Sequence, residues 1–266
     1  IELNGLRFHF RDWASETPGA PPLLLVHGLG GHSRTWDTIA RAFTPRYRVL
    51  ALDQRGHGES AWSPTADYPA ATLADDLAAF VSAVHLSELA LVGHSLGGRA
   101  SIVYAARRPP ALSRLVIVDI GPEIASVGSD RIVSGVQAND IFATPEAAVA
   151  AGRAANARAD EAELQHRTRN NLMLLPDGTW TFRYDKALRT NRLPRPDAGD
   201  AWAMLPKITA PTLLIRGELS DVLDTAVAER MLKEIPDCKF ALVPGSGHSI
   251  PLESPQGFLT AVRTFL

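Results

Sequence analysis

The stretch Leu89-Ala90-Leu91-Val92-Gly93-His94-Ser95-Leu96-Gly97-Gly98 decides the reading of this chain. Its first four residues are a short apolar run, the mark of a strand buried on both faces. Gly93 and Gly97 flank Ser95, and a small, apolar segment from Gly97 to Arg107 follows, closed by Pro109-Pro110. A strand that turns this abruptly into a helix leaves no room for side chains beside the Ser, hence the glycines. The Ser then stands at a helix N-terminus, where backbone N–H groups and the dipole favour developing negative charge. That is the setting of a nucleophilic hydroxyl. The plainer alternative, a Gly-rich turn that only packs, does not account for the strand and helix on either side.

Working outward, Leu23–Val26, Val49–Leu52 and Leu115–Val118 are apolar runs of the same kind. Between them, Leu73 to Val84 places Leu73, Leu77, Phe80, Val81 and Val84 on one helical face, with Asp75 and Asp76 in its first turn. Strands alternating with helices predict an α/β fold with a mostly parallel sheet flanked by helices. Asn4-Gly5, between Ile1–Leu3 and Leu6–Asp12, predicts a hairpin. The rhythm breaks after Val118. From 123 to 205 there is no buried-strand run, only Ala-rich helical segments (Pro145–Asn156, Glu161–Leu174) and a polar-aromatic patch, Trp180–Tyr184. Arginines are frequent there: Arg131, Arg153, Arg158, Arg167, Arg169, Arg183, Arg189, Arg192 and Arg195. They are either anion binders or, more commonly, solvated helix faces. The pattern resumes with Thr212–Ile215, a helix near Thr225–Ile235, a strand Phe240–Val243 and a helix Pro255–Leu266. The expected organisation is a core of 1–122 and 206–266 with a helical cap inserted at 123–205. An insertion between two strands leaves from a strand end, where the ligand crevice of such sheets lies.

Composition narrows the function classes. A chain of 266 residues, 45% hydrophobic and 21% charged, is ordinary globular protein, not disordered, collagenous or coiled coil. A net charge of −2 offers no basic excess for a phosphate backbone. Cys238 is the single cysteine, so an internal disulfide or a cysteine metal cluster is excluded. No apolar run approaches the ~20 residues of a membrane span, and Ile1–Phe10 alternates polar and apolar, unlike a signal peptide. The expectation is a cytoplasmic protein acting on a small molecule, without nucleic-acid or membrane partners and without a metal or organic cofactor.

Chemistry requires partners for Ser95. The loop His27-Gly28-Leu29-Gly30-Gly31 follows the run Leu23–Val26 and can turn a backbone N–H into the crevice. Acyl transfer needs two such donors at the developing oxyanion, and the expected pair is the N–H groups of Leu29 and Leu96. Neither the dinucleotide nor the Walker glycine pattern is met in that loop. A Ser hydroxyl also needs a general base, and the base an orienting acid. Of the eight His residues, His248 in Gly245-Ser246-Gly247-His248 is placed best, just past a strand. His27 and His94 belong to the loops already assigned. His57, in Asp53-Gln54-Arg55-Gly56-His57-Gly58, reads as structural, and His9, His32, His85 and His166 show no partner pattern. For the acid, Asp221 is preferred, in the chain order Ser95, Asp221, His248. Asp119, at the end of Leu115–Val118, competes; Asp224 and Glu218 are weaker candidates.

With these residues assembled, the chain resembles the α/β-hydrolase superfamily. The marks are His27-Gly28, Asp53-Gln54-Arg55-Gly56-His57-Gly58-Glu59-Ser60, Gly93-His94-Ser95-Leu96-Gly97-Gly98, Gly217–Asp221 and Gly247-His248. The resemblance implies that fold, a variable cap at 123–205, and serine-hydrolase activity on esters, lactones, or C–C and C–N bonds. A serine at position 95 argues against the haloalkane dehalogenase and epoxide hydrolase branches, whose nucleophile is Asp, and the dienelactone hydrolase branch, whose nucleophile is Cys. Some members of the fold are ligand receptors without turnover, but here every catalytic position is intact. Gly97-Gly98-Arg99, Val118-Asp119-Ile120-Gly121-Pro122 and Arg216-Gly217-Glu218-Leu219-Ser220 are also similar to an enzyme that hydrolyses an acetamidomethylene succinate. There the acid stands at the position of Asp119, and no carboxylate matches Asp221.

Overall fold

Side-chain alternation sorts the apolar runs into two cores, one on each face of a single sheet. In strand β4 (Pro22–Val26), Leu24 and Val26 join one buried cluster and Leu23 and Leu25 the other. The same division holds in β5 (Arg48–Leu52), β6 (Leu89–His94), β7 (Leu112–Val118) and β10 (Thr212–Gly217). Each side chain thus taken from water contributes roughly 1.5–3 kcal/mol, which is why these runs carry no polar alternation.

The computed structural model describes residues 1–128, 140–190 and 198–266. Its main sheet has the order β11-β10-β7-β6-β4-β5-β3, where β3 is Phe10–Trp13 and β11 is Cys238–Val243. All neighbours pair in parallel except β3, which runs antiparallel to β5 at the edge. Helices α1 (Asp37–Phe43) and α2 (Ala70–Ala83) follow β4 and β5, and α3 (Leu96–Ala106) follows β6. The N-terminal hairpin joins β1 (Glu2–Leu3) and β2 (Leu6–Arg7) through Asn4 and Gly5, both at positive φ (50° and 77°), as a two-residue hairpin turn requires.

The segment between β7 and β10 carries strands beside the expected helices. It contains helices α4 (Pro145–Ala155) and α5 (Glu161–Asn170), then a two-stranded antiparallel hairpin of β8 (Leu172–Leu174) and β9 (Trp180–Phe182). Pro176-Asp177-Gly178 makes its turn, with Gly178 at φ 85°. The apolar runs of this hairpin are too short to register as buried strands in sequence; the aromatic patch Trp180–Tyr184 was its trace. Thr144 and Asp160 cap α4 and α5 by accepting from Ala147 and Glu163 N–H groups. The core resumes with β10, α6 (Thr225–Glu234), β11 and α7 (Pro255–Phe265). Among the described residues, no helix is long and apolar enough to cross a membrane.

The segment is fastened to loops at the carboxyl ends of the strands. Arg183 O accepts from Gly58 N at 2.8 Å, Arg167 O from His32 Nε2 at 3.0 Å, and Leu252 O from Asp160 N at 2.9 Å.

Candidate active site

Ser95 sits between β6 and α3 with φ 51° and ψ −115°, a conformation that a non-glycine residue holds only when its surroundings enforce it. The enforcement is visible. Ser95 N donates to Val118 O on β7 (3.1 Å), and Gly97 N donates to His27 O (3.1 Å). A Cβ on Gly97 would lie 2.5 Å from that same backbone oxygen, so only glycine lets α3 approach the loop after β4 this closely.

His248 Nε2 lies 3.0 Å from Ser95 Oγ. His248 Nδ1 lies 2.8 Å from Asp119 Oδ2. With Nδ1–H donating to the carboxylate, Nε2 is left to accept the Ser95 hydroxyl proton. All three residues are buried, Asp119 completely. The carboxylate also accepts from Gly217 N (2.9 Å) and from the Ser220 hydroxyl (2.5 Å). Behind the ring, His94 Nε2 donates to the backbone carbonyl of His248 (3.0 Å). Burial, and next the neighbouring His248 ring, push the His94 pKa down to about 3, so it stays neutral.

The expectation that Asp221 lies against His248 is therefore corrected: Asp119 holds that place. The loop after β10 does curl towards the histidine, but it arrives as a donor. Buried Arg216 gathers the loop by donating to the carbonyls of Leu223, Gly217, Glu218 and Ser220. That brings the Ser220 hydroxyl and Gly217 N–H to Asp119, while the backbone carbonyl of Asp221 packs against Gly128. Asp224 is the N-cap of α6, and Glu218 accepts from Gly245 N at 2.8 Å.

The loop after β4 forms a tight turn, with Gly31 N donating to Gly28 O (3.0 Å) and Gly30 at φ 70°, the geometry of a type II turn with Leu29 in its second position. Among the described residues, neither Leu29 N–H nor Leu96 N–H donates to a protein acceptor. Beneath the turn, His27 Nδ1 donates to Gly28 O (2.8 Å) and Nε2 accepts from Gln54 N (3.1 Å). Asp53 is a buried anchor taking bonds from His9, Ser33 N and Glu59 N. Burial pushes its carboxyl up, but the His9 bond, the His27 ring and these N–H groups outweigh that and hold it well below the usual carboxylate range. His57 is fully buried and turned to Arg55 O.

Sequence reasoning missed Ser220, Glu253 and Asn171. Glu253 accepts from Gly247 N and Ser249 N on either side of His248, and from Asn156 and Arg158 of the inserted segment. Its carboxyl, pushed up by burial, is pulled below its ordinary pKa by Gly247 N–H, Asn156 and Arg158. Of the inserted arginines, Arg153, Arg158, Arg167 and Arg169 pair with Glu161, Glu253, Glu163 and Glu146. Arg183 has no acidic partner among the described residues; its Nε donates to Leu172 O (2.9 Å). Arg131, Arg192 and Arg195, and the side chain of Arg189, lie outside the described residues. Among the described residues, no group of three or more His, Cys, Asp or Glu is arranged to hold a metal ion.

This strand–Ser–helix junction, with a histidine and a strand-end carboxylate in line behind it, is a hydrolase arrangement, and residues 21–255 match the α/β hydrolase fold family. The chain belongs to that family and is a hydrolase. It is 30% identical over 255 residues to 2-(acetamidomethylene)succinate hydrolase of Mesorhizobium japonicum, covering 94% of this chain and 90% of that one. It is 27% identical to the esterase YbfF of Escherichia coli, covering 92% of each. The crystal structure of E-2-(acetamidomethylene)succinate hydrolase superposes with a TM-score of 0.89 at 28% identity, over 98% of this chain and 96% of that one.

Proposed function

We propose that the protein is a serine hydrolase that cleaves a carboxylic ester or a similar acyl compound of small size through an acyl-enzyme. The observation that carries the reading is the unbroken line Ser95 Oγ–His248–Asp119 at the N-terminus of α3. Ser95 Oγ attacks the acyl carbon while its proton passes to His248 Nε2. The negative charge gathering on the carbonyl oxygen is held by the N–H groups of Leu29 and Leu96, which have no other acceptor among the described residues. The bond to the leaving oxygen then breaks, that oxygen takes the proton from Nε2, and the acyl group stays on Ser95. Water gives a proton to Nε2 and attacks the ester carbon; Ser95 leaves with that proton and the acid is released. Asp119 holds the ring in the tautomer with Nδ1–H and balances the imidazolium. The 123–205 segment acts as a cap over this site.

A second reading has specific support. The acetamidomethylene succinate relative and Arg183, which has no acidic partner among the described residues, favour C–N or C–C hydrolysis of a carboxylate-bearing metabolite. Two experiments test the main reading. A fluorophosphonate probe labels Ser95 stoichiometrically and fails to label Ser95→Ala; labelling elsewhere, with turnover kept in Ser95→Ala, refutes it. Leu29→Pro removes one N–H at a turn position that suits proline. It lowers kcat by about 10²-fold or more if that donor meets the oxyanion.

A further inference from the structure

The cap residue Asn171 touches no reacting group, yet its side chain ends on the turn that carries Leu29. Asn171 Nδ2 donates to Gly30 O at 2.8 Å, across 141 positions of sequence. Asn171 itself is fixed from both directions. Its N–H donates to Arg167 O (3.1 Å) at the end of α5, and its C=O accepts from Arg183 N (2.7 Å) in the hairpin. The residue is buried, and among the described residues its Oδ1 has no hydrogen-bond partner. A buried amide with an unanswered oxygen is a poor stabiliser, so the useful half of this side chain is its N–H. What that N–H holds is the third residue of a type II turn, the one that must stay at positive φ. Gly30 O shares its peptide with Gly31 N, which donates to Gly28 O (3.0 Å), and Gly28 O shares its peptide with Leu29 N, so the grip on Gly30 O passes through the turn to the direction of the Leu29 N–H.

We propose that Asn171 is a positioning residue for the oxyanion hole, through which the cap sets the aim of the Leu29 N–H. This rests on the reading of Leu29 N–H as an oxyanion donor. The cap thus bears on the chemistry through the loop after β4. A second tie, His32 Nε2 to Arg167 O at 3.0 Å, holds the next residues of the same loop to the same helix.

The test uses the full chain, with p-nitrophenyl butyrate as substrate and a fluorophosphonate as probe of the oxyanion hole. Asn171→Leu and Asn171→Asp both remove the donor at nearly constant size. In each, kcat falls at least about tenfold, part of the loss from deleting a donor outright, while KM stays within about threefold. Fluorophosphonate inactivation slows in parallel, because its phosphoryl oxygen occupies the same place as the oxyanion. Near-normal kcat in a folded variant overturns the proposal, as does a change confined to KM, or loss of the fold in both variants. Leu29→Pro separates the two levels. If it is impaired and the Asn171 variants are not, the oxyanion reading stands and the Asn171 proposal falls. If Leu29→Pro turns over normally, both fall.

Discussion

Acidification attacks this protein through histidines that never meet substrate. His27, His32 and His57 are buried in the layer beneath the Leu29 turn. Burial lowers their pKa values to about 4, 4 and 3, against an ordinary 6.5. Each is lower in the folded than in the unfolded chain, so between pH ~6.5 and ~4 the unfolded chain binds more protons and stability falls with pH. At pH 5 each histidine costs about 2 kcal/mol relative to pH 8, about 8 kcal/mol for these three together with His94, whose pKa is pushed down to about 3 as well, and the slope is about 5 kcal/mol per pH unit. A domain of ordinary stability, about 5–15 kcal/mol, loses much of it there. His9, whose pKa is raised by its bond to Asp53, is protonated in both states at pH 5 and adds nothing to this slope. Urea unfolding followed by tryptophan fluorescence between pH 8 and pH 5 measures the loss directly. His57 Nε2 lacks a partner among the described residues, which makes His57→Phe the cleanest variant. It reduces the slope by about a quarter while costing little at pH 8. A free energy that stays flat from pH 8 to pH 5, or a slope below about 1 kcal/mol per unit, refutes the reasoning.

Asp119→Asn lowers kcat on p-nitrophenyl butyrate by about 10²-fold or more with the fold intact, whereas Asp221→Asn costs less than about tenfold; kinetics and melting temperatures of both variants check this, and the reverse order returns the acid to Asp221. Arg183→Gln lowers kcat/KM for anionic substrates more than for neutral ones, while Arg153→Gln and Arg169→Gln, whose partners are Glu161 and Glu146, act equally on both; paired assays with a neutral ester and its carboxylate-bearing analogue read the difference. Gly97→Ala forces a methyl to within 2.5 Å of His27 O and destabilises the protein by more than about 2 kcal/mol, seen as a lowered melting temperature. An unchanged melting temperature in Gly97→Ala means α3 does not approach the loop as tightly as described.

The sheet was legible because burial on both faces leaves an unmistakable trace: Leu23–Val26, Val49–Leu52, Leu89–Val92 and Leu115–Val118 all became central strands. Ser95 stood out because it sits between glycines directly after such a strand, and His248 because Gly245 and Gly247 precede it in the loop after the edge strand β11; the structure brings the two within 3.0 Å. The acid was not. Asp119 and Asp221 both follow strands, and the choice turned on Arg216, whose role as a clamp on four carbonyls depends on where its side chain goes once buried. The β8–β9 hairpin was hidden because three-residue strands carry too little periodicity to separate from loop. Asn171 and Glu253 were invisible for a different reason. Their partners, Gly30 O and Gly247 N, are backbone atoms, and backbone leaves no mark in a sequence.

The pairing of β7 with β10, Leu115 beside Thr212 through Val118 beside Ile215, has a consequence for how this scaffold accepts change. The 123–205 segment proposed as a cap begins shortly after β7 and ends ahead of β10, so its two ends are held together by the same strand contact that assembles the Asp119 carboxylate with Gly217 and Ser220. A segment closed at both ends by a rigid clasp can be lengthened at small cost in closure entropy, about 0.6 kcal/mol for each doubling of its length. A foreign cap grafted here leaves Ser95, His248 and Asp119 in register and the protein folded. It does not bring an amide to Gly30 or the carbonyls that meet Gly58 N and His32 Nε2, so what such a graft changes is felt in the loops around Ser95 and not in the sheet.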